Sequence, residues 1–320
     1  MDRRTFIAVA AVAFATTPRA AAAQQTGGIR RIGVLTAGTI PKTTPAFIEG
    51  LREKGWVEGQ NLVIERRGAD GNAERVPGLA AELAQMNLDV IVSFGAVAAV
   101  AIKNATTTIP IVTQSGDPVR LGLVSNLSRP GGNITGLSFF TSEIGSKRLE
   151  LMKEAMPDIR RVAVIWDHSL PRGFTAPMEA AARTLKIAVE LIDVNSADLL
   201  ESTFSALAKK RVRGALIRET PMLISNAGLV GAIASKHRIA AIGFKEVAEG
   251  GGLIGYGADI PTMWRRAATF VDKILKGARP GELPVEQAAK FDLIVNKKTA
   301  NALGVKFPNS ILVQATKVIE

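Results

Sequence analysis

The sequence contains no cysteine and only two histidines among its 320 residues. Without cysteine it has no disulfide bond, no thiol nucleophile and no attachment point for a lipoprotein anchor. Two isolated histidines cannot build a zinc-type site. The sequence also lacks a Gly-x-Ser-x-Gly nucleophile elbow and a Gly-x-x-x-x-Gly-Lys phosphate loop. We therefore expect no metal, no cofactor, no catalytic residues and no enzyme activity.

Long apolar runs are absent except near the start. Residues 5–17 are mostly apolar, but this run is shorter than the roughly 20 residues that span a membrane. It follows a short charged start and precedes the small residues 21–23, which is the pattern of an export signal. We expect residues 1–23 to be a signal peptide, cleaved near Ala23, and the mature protein to work in the periplasm. The Arg3-Arg4 pair fits a twin-arginine signal as well as a general secretory one.

Acidic residues are fewer than basic ones, and the formal net charge is +11. Such a balance can indicate a nucleic-acid or membrane partner. Here the basic residues are spread along the chain, and the only dense runs, at 209–213 and 265–266, are typical of solvated helix faces. An exported protein also has no access to DNA. We expect no nucleic-acid partner and a monomer that binds a small molecule.

Strand-like and helix-like segments alternate along the chain. Five strands separated by helices are predicted between residues 29 and 139, and a second set begins with a helix at 142 and a strand at 161–167. Strict β/α alternation predicts parallel sheets covered by helices. A chain of 320 residues also exceeds the roughly 250–300 at which one core stops growing, so two domains are expected.

The pieces after residue 250 are too few for a third domain and must be added to the two sheets. We therefore predict an α/β fold of two Rossmann-like lobes with parallel sheets, joined by three hinge strands. Lobe 1 comprises residues 29–138 and 256–284, and lobe 2 comprises residues 139–255 and 285–320. The run of three glycines at 250–252 is interpreted as part of a hinge. Two such lobes would close on a ligand held in the cleft between them.

Residues 89–118 form the central stretch, predicted as strand, helix and strand. The carboxyl ends of parallel strands meet at one rim of the sheet, where ligands bind in open α/β folds. The helix that begins near Ala96 would offer free backbone N–H groups, beside the side chains of Ser93, Ser115 and Asp117. This pattern predicts a pocket for a small polar or anionic group. The alternative is an ordinary βα turn capped by small residues.

Several runs carry a family resemblance: Arg31-Ile-Gly-Val-Leu35, Gly116-Asp-Pro-Val, Arg129-Pro-Gly-Gly-Asn and Leu283-Pro-Val-Glu-Gln. With them the mature chain resembles the ABC transporter substrate-binding proteins related to tryptophan- and tyrosine-binding lipoproteins. The resemblance implies a type I periplasmic-binding-protein fold and delivery of a small ligand to an ABC permease in the inner membrane. It suggests an amino acid, aromatic ones among them, or a related carboxylate as the ligand.

The same resemblance implies positions for the first wall of the site. The ligand's carboxylate would meet Ser93 and the N–H groups of Gly95 and Ala96. Thr36 and Asp117 would line the same lobe.

A second set of residues would approach from the other lobe. These are Asp167, Glu219, Thr220 and Phe244, with Tyr256 at the hinge. An acidic side chain among them could hold an ammonium group.

Two segments depart from the family pattern: Lys245-Glu246, where members often carry an Arg-Glu pair, and Arg218-Glu-Thr. Both fall where the variable end of the ligand would lie.

Aromatic residues make up only 5% of the chain, yet five of them fall at predicted strand ends or rims. These are Phe94, Trp166, Phe174, Phe244 and Tyr256. They could form a stacking wall for a planar ligand, or each could cover the top of a core. Two alternative functions also stay open: a ligand-sensing module that docks on a receptor, and an exported enzyme that uses Asp117, Asp167 and His168.

Overall fold

The computed structural model describes residues 28–40, 44–139, 141–167 and 175–320. The predicted signal peptide, His168 and Phe174 lie outside these ranges. The strands are β1 (Arg30–Thr36), β2 (Leu62–Gly68), β3 (Val90–Phe94), β4 (Ile111–Ser115), β5 (Ile134–Ser138), β6 (Arg161–Trp166), β7 (Ala188–Asp193), β8 (Gly214–Ile217), β9 (Ala240–Gly243), β10 (Ile254–Ala258), β11 (Glu286–Gln287), β12 (Phe291–Asn296) and β13 (Lys317–Ile319).

The helices alternate with these strands for most of the chain. They are α1 (Thr44–Glu53), α2 (Val76–Gln85), α3 (Ala96–Ala105), α4 (Thr141–Ala155), α5 (Ala176–Thr184), α6 (Leu199–Lys209), α7 (Pro221–Ser225), α8 (Ala227–Lys236), α9 (Lys245–Glu249), α10 (Ile260–Leu275), α11 (Lys297–Leu303) and α12 (Asn309–Gln314). Among the described residues, no helix is both long enough and apolar enough to cross a membrane.

The first sheet has six strands in the order β11-β5-β4-β3-β1-β2, and every pair is parallel. Its central strands β1, β3 and β4 carry apolar residues on both faces because helices cover both sides. Val92 and Val112 pack on one side with α1 and α10. Ile91 and Ile111 pack on the other side with α2 and α3.

The second sheet has seven strands in the order β13-β12-β10-β9-β8-β6-β7. All its pairs are parallel except β10 with β12, which is antiparallel. Helices α4 and α5 cover one side, and α6, α7 and α8 cover the other. The two sheets confirm the predicted α/β class.

The chain crosses between the sheets three times. β5 belongs to the first sheet and α4 packs on the second; β10 belongs to the second and α10 packs on the first; β11 and β12 again lie in different sheets. The crossings therefore fall at about residues 139–141, 258–260 and 287–291. The last two lie a few residues later than the lobe boundaries expected from sequence, which stay a prediction.

Two of these crossings run side by side. The amide of Asp259 donates to the carbonyl of Lys290 at 3.0 Å, and Lys290 Nζ lies 2.7 Å from Asp259 Oδ2. Asp259 also begins α10, because its carboxylate accepts hydrogen bonds from the amide and the hydroxyl of Thr262. The second and third crossings are thus bonded to each other.

The three glycines at 250–252 serve close packing rather than a hinge. A Cβ added at Gly250 would lie 2.6 Å from the Cα of Gly228 in α8, and one added at Gly231 would lie 2.4 Å from the carbonyl oxygen of Val247. Only glycine allows α8 and α9 to approach so closely. The segment is fixed against α8, and the crossing lies after β10.

Candidate functional site

Each sheet has a point where two neighbouring strands lead away from each other, to helices on opposite faces of the sheet. In the first sheet this point lies between β1 and β3, and in the second between β6 and β8. Helices that diverge in this way leave a crevice at the carboxyl ends of the two strands. Residues that follow β1, β3 and β8 meet in one cavity.

This cavity has a volume of about 650 Å³, including solvent at its mouth. Its lining comes from both sheets: Thr36, Ala37, Gly38, Phe94, Gly95, Ala96, Val97, Gly116 and Phe139 from the first half, and Glu219, Pro221 and Ile224 from the second. Most of these residues are apolar, and Glu219 is the one charged residue among those that line it. A largely apolar crevice with a few polar groups suits a small organic ligand.

The amino end of α3 forms one side of the cavity. Gly95 precedes the helix with φ 93° and ψ 157°, and no side chain caps the helix. Among the described residues, the amides of Ala96 and Val97 have no hydrogen-bond partner, as is usual for the first turn of a helix. Because the helix dipole adds positive charge there, this end can bind a carboxylate.

Hydroxyl groups lie buried beside this helix end. Ser93, Thr113 and Ser115 are fully buried, and none of their hydroxyl oxygens has a partner among the described residues. They project from β3 and β4 on the side of the sheet that α3 covers. Across the cavity, the hydroxyl of Thr220 is likewise buried and unpartnered. Buried polar groups without a partner are uncommon, and each needs a reason.

Phe94 forms the apolar floor of the cavity and is fixed from behind. Its ring stacks on Trp264 of α10 with an interplanar angle of 10°, and Phe47 of α1 meets it edge-on at 5.8 Å. Phe139, which follows β5, adds a second ring to the lining. An aromatic surface is therefore present. Of the four aromatics singled out in the sequence that the structure describes, Phe94 is the one that lines the cavity.

The opposite wall rests on Arg148 of α4. Its guanidinium donates to the carbonyl of Tyr256 from Nε at 2.8 Å and from Nη2 at 2.6 Å, and to the carbonyl of Ile217 at 3.4 Å. It also forms an ion pair with Glu219. Arg148 is 1% exposed, and its ion pair holds one oxygen of Glu219 at the cavity.

Four of the predicted site residues line this cavity, and others lie behind it. Thr36, Gly95, Ala96 and Glu219 are in contact with it. Ser93, Ser115 and Thr220 are the buried hydroxyl residues just described.

The remaining four lie elsewhere. Asp117 caps its own turn, because its carboxylate accepts the amide of Arg120 at 3.0 Å and pairs with that guanidinium at 3.5 Å. Asp167 is buried at the end of β6 and has an interaction of its own. Phe244 packs in the core beneath α8 and α9.

Tyr256 stands in β10, where its ring stacks on Phe291.

The structure also shows residues that the sequence analysis missed. Phe139, Pro221 and Ile224 line the cavity, and the side-chain oxygen of Gln114 is buried without a partner among the described residues. Gln114 directly precedes Ser115, so its place at a strand end was visible in the sequence. Ile224 could not be recognised, because no element was predicted between the strand ending at Thr220 and the helix beginning at Ala227, where the short helix α7 lies. Within the described ranges, no group of three or more potential ligands could hold a metal ion.

Comparison with known sequences gives a family. The sequence model of the family described as ABC transporter substrate binding protein matches residues 34–319. The tyrosine-binding protein of Clostridioides difficile strain R20291 is 26% identical over 272 residues, which cover 84% of this chain and 78% of that protein.

Comparison with solved structures gives the fold. A conserved domain protein from Vibrio cholerae O1 biovar El Tor superposes with a TM-score of 0.84 at 27% identity, covering 91% of this chain and 99% of that one. The ABC domain in complex with L-Trp from Streptococcus pneumonia superposes with a TM-score of 0.81 at 24% identity, with the same coverage. These likenesses confirm the expected type I periplasmic-binding-protein fold.

Proposed function

Because this chain belongs to the ABC transporter substrate-binding protein family, whose members are extracytoplasmic solute-binding proteins and not enzymes, we propose that it captures a small organic carboxylate in the cavity between its two sheets. The ligand class is an amino acid, aromatic ones included, or a related carboxylate. The bound solute is passed unchanged to an ABC permease in the inner membrane, and the protein works in the periplasm as a monomer.

The observation that carries this proposal is the set of unmatched polar groups around the cavity. Free amides at the start of α3 and the unpartnered hydroxyls of Ser93, Ser115 and Thr220 remain without partners within the described fold. Leaving a buried polar group unpaired costs about 1–3 kcal/mol. A ligand carboxylate and its neighbouring polar atoms would recover that cost on binding, which favours capture over a purely structural role.

Each half supplies part of the cavity lining. Thr36 and Gly95 come from the first half, whereas Glu219 and Ile224 come from the second. Neither half encloses the ligand alone, so binding draws the halves together and shields the ligand from water. The closed form then presents one composite surface to the permease.

A thermal-shift screen of the purified protein tests the proposal. The panel contains the standard amino acids, aromatic acids, aliphatic carboxylates and, as non-carboxylate controls, sugars and purines. A ligand present at 100 times its dissociation constant adds about 2.7 kcal/mol to stability. We expect carboxylates alone to stabilise the protein and to be recovered unchanged. Stabilisation by sugars or purines alone, or chemical turnover of the bound compound, would refute the proposal.

A further inference from the structure

Arg218, the residue after β8, is a buried cation that has no counter-ion in the part of the chain that the structure describes. It is 3% exposed. Among the described residues its guanidinium makes no hydrogen bond and no ion pair, although its backbone amide is held by the carbonyl of Ile165 at 3.0 Å. Buried charges are normally paired, since removing an ion from water is costly. Burial accordingly lowers the pKa of Arg218.

The nearest carboxylate is already occupied. Glu219 pairs with Arg148, and no acid within the described ranges lies within ion-pair distance of Arg218. Asp167, at the end of the adjacent strand β6, has a separate interaction. Counted over Arg148, Arg218 and Glu219, the net charge is therefore +1, and the one carboxylate is paired with Arg148.

The surroundings of Arg218 add to this positive charge. Gly145, in the first half of α4, lies beside Arg218, because a Cβ placed on it would be 3.5 Å from Arg218 Nη1. The same Cβ would be 3.4 Å from the Cβ of Met178, which lies in the first turn of α5. The guanidinium thus lies near the amino ends of two helices, where a cation is disfavoured and an anion is favoured. Of the acids in those two turns, Glu143 is exposed and Glu179 accepts a hydrogen bond within its own turn.

A neutral donor completes the group. Thr220 is fully buried with an unpartnered hydroxyl, and the chain on both sides of it, at Glu219 and Pro221, lines the cavity. The second half therefore holds a guanidinium and a hydroxyl, both without partners among the described residues, on the two residues that flank Glu219 of the cavity wall. Such a pair is suited to the two oxygens of a carboxylate.

We propose that Arg218, with Thr220, recognises a second anionic group on the ligand. The ligand class is then an organic dianion: a dicarboxylate, or a carboxylate that carries another acidic oxygen group at its far end. One anionic group lies at the start of α3 and the other at Arg218. This inference rests on the proposed function and narrows its ligand class.

Calorimetry with matched ligand pairs tests the inference. Each pair shares one skeleton and differs in the second anionic group: glutamate and glutamine, aspartate and asparagine, terephthalate and benzoate. Because the spacing of the two sites selects among skeletons, a series of aliphatic dicarboxylates from malonate to adipate is added. We expect at least one dianion to bind about tenfold or more tightly than its monoanionic partner, and this preference to disappear in Arg218→Met.

Stability without ligand provides the second readout, with Arg148→Met as the matched control. Arg218→Met removes an unpaired buried charge and keeps the volume, so the unfolding midpoint of the unliganded protein should rise. Arg148→Met removes four hydrogen bonds and leaves Glu219 unpaired, so the midpoint should fall. A structural role for Arg218 predicts a fall in both variants. Arg218→Lys, which keeps the charge but not the planar fork, should retain part of the dianion preference.

The possible outcomes separate the inference from the proposed function. Equal affinity for both members of every bound pair overturns the inference and leaves the carboxylate function standing. A fall in the midpoint of Arg218→Met also overturns it. Failure of every carboxylate to bind overturns the proposed function, and the inference with it.

Discussion

Gly95 connects the fold to the binding site and gives the sharpest single prediction. Its φ of 93° and ψ of 157° place it in a region that glycine alone enters readily. A Cβ added there meets no atom within 4 Å. Any cost of Gly95→Ala therefore comes from the backbone conformation, not from a steric clash.

The magnitude follows from that conformation. Holding a residue with a side chain in this region costs roughly 1–3 kcal/mol. Gly78 in α2 is the matched control, because a Cβ there also meets no atom within 4 Å but the backbone is helical. Gly78→Ala should therefore stabilise the protein by about 0.5–1 kcal/mol. The same chemical change is predicted to have opposite signs at the two positions.

Thermal or urea unfolding of both variants measures the difference. One kcal/mol corresponds to a shift of roughly 2–4 °C in the midpoint for domains of 150–250 residues. If the backbone of Gly95→Ala relaxes instead, the amides of Ala96 and Val97 turn away from the cavity and ligand affinity falls. A Gly95→Ala protein that matches the wild type in both midpoint and affinity would refute the reasoning.

Three further predictions follow from buried contacts. Burial alone would raise the pKa of Asp259, but the hydrogen bond from Lys290 and the cap of α10 hold that pKa below its ordinary value. The ionised carboxylate of Asp259 therefore stabilises the fold at neutral pH, and this contribution is lost as the pH falls through the lowered pKa. In urea titrations, Asp259→Asn should be less stable than the wild type at pH 7, and the difference in stability should shrink below about pH 4. A difference that stays constant with pH would contradict a stabilising role for the ionised Asp259. Gly231→Ala should lose about 1–3 kcal/mol because its Cβ meets the carbonyl of Val247, and an unchanged urea midpoint would show that α8 can shift. Ser93→Ala should keep its unliganded stability but weaken ligand binding in calorimetry, whereas a loss of stability would show that the hydroxyl is bonded within the fold.

The α/β class and the position of the cavity could be predicted from local patterns. The runs at 90–94 and 111–115 begin with β-branched apolar residues and are buried on both faces, as central parallel strands are, and a small residue, Gly95, follows the first of them. Such signals depend only on neighbours in sequence. They were enough to place the start of the helix at Ala96 at one rim, and the family resemblance added Thr36. Both residues line the cavity in the structure.

The contacts that individual side chains make in the folded protein could not be predicted in the same way. Asp117 has the residue type of a ligand contact, yet Arg120 three residues later occupies its carboxylate. Phe244 has the residue type of a stacking wall, yet α9, a five-residue helix without a clear sequence signal, follows it and covers it. Arg148 lies 71 residues before Glu219, and only the packing of α4 on the second sheet brings the two together.

The glycine run at 250–252 shows the same limit. Three glycines in sequence indicate freedom of the backbone, and a hinge was the natural interpretation. The structure uses two of them for close approach to Gly228 and Gly231. A run of glycines allows the backbone many conformations and close approaches, and the packing of the neighbouring helix α8 determines which of these occurs.

The paired crossings at Asp259 and Lys290 limit how the two halves can move. Sliding one half along the other would break the backbone bond and the ion pair together, whereas a swing about the line through these residues leaves both intact. These two contacts therefore favour rotation of one half about the line through Asp259 and Lys290 over sliding. Two fluorophores attached on opposite sides of the cavity opening would then report the angle between the two halves. The protein could in this way be converted into an optical sensor with a simple calibration.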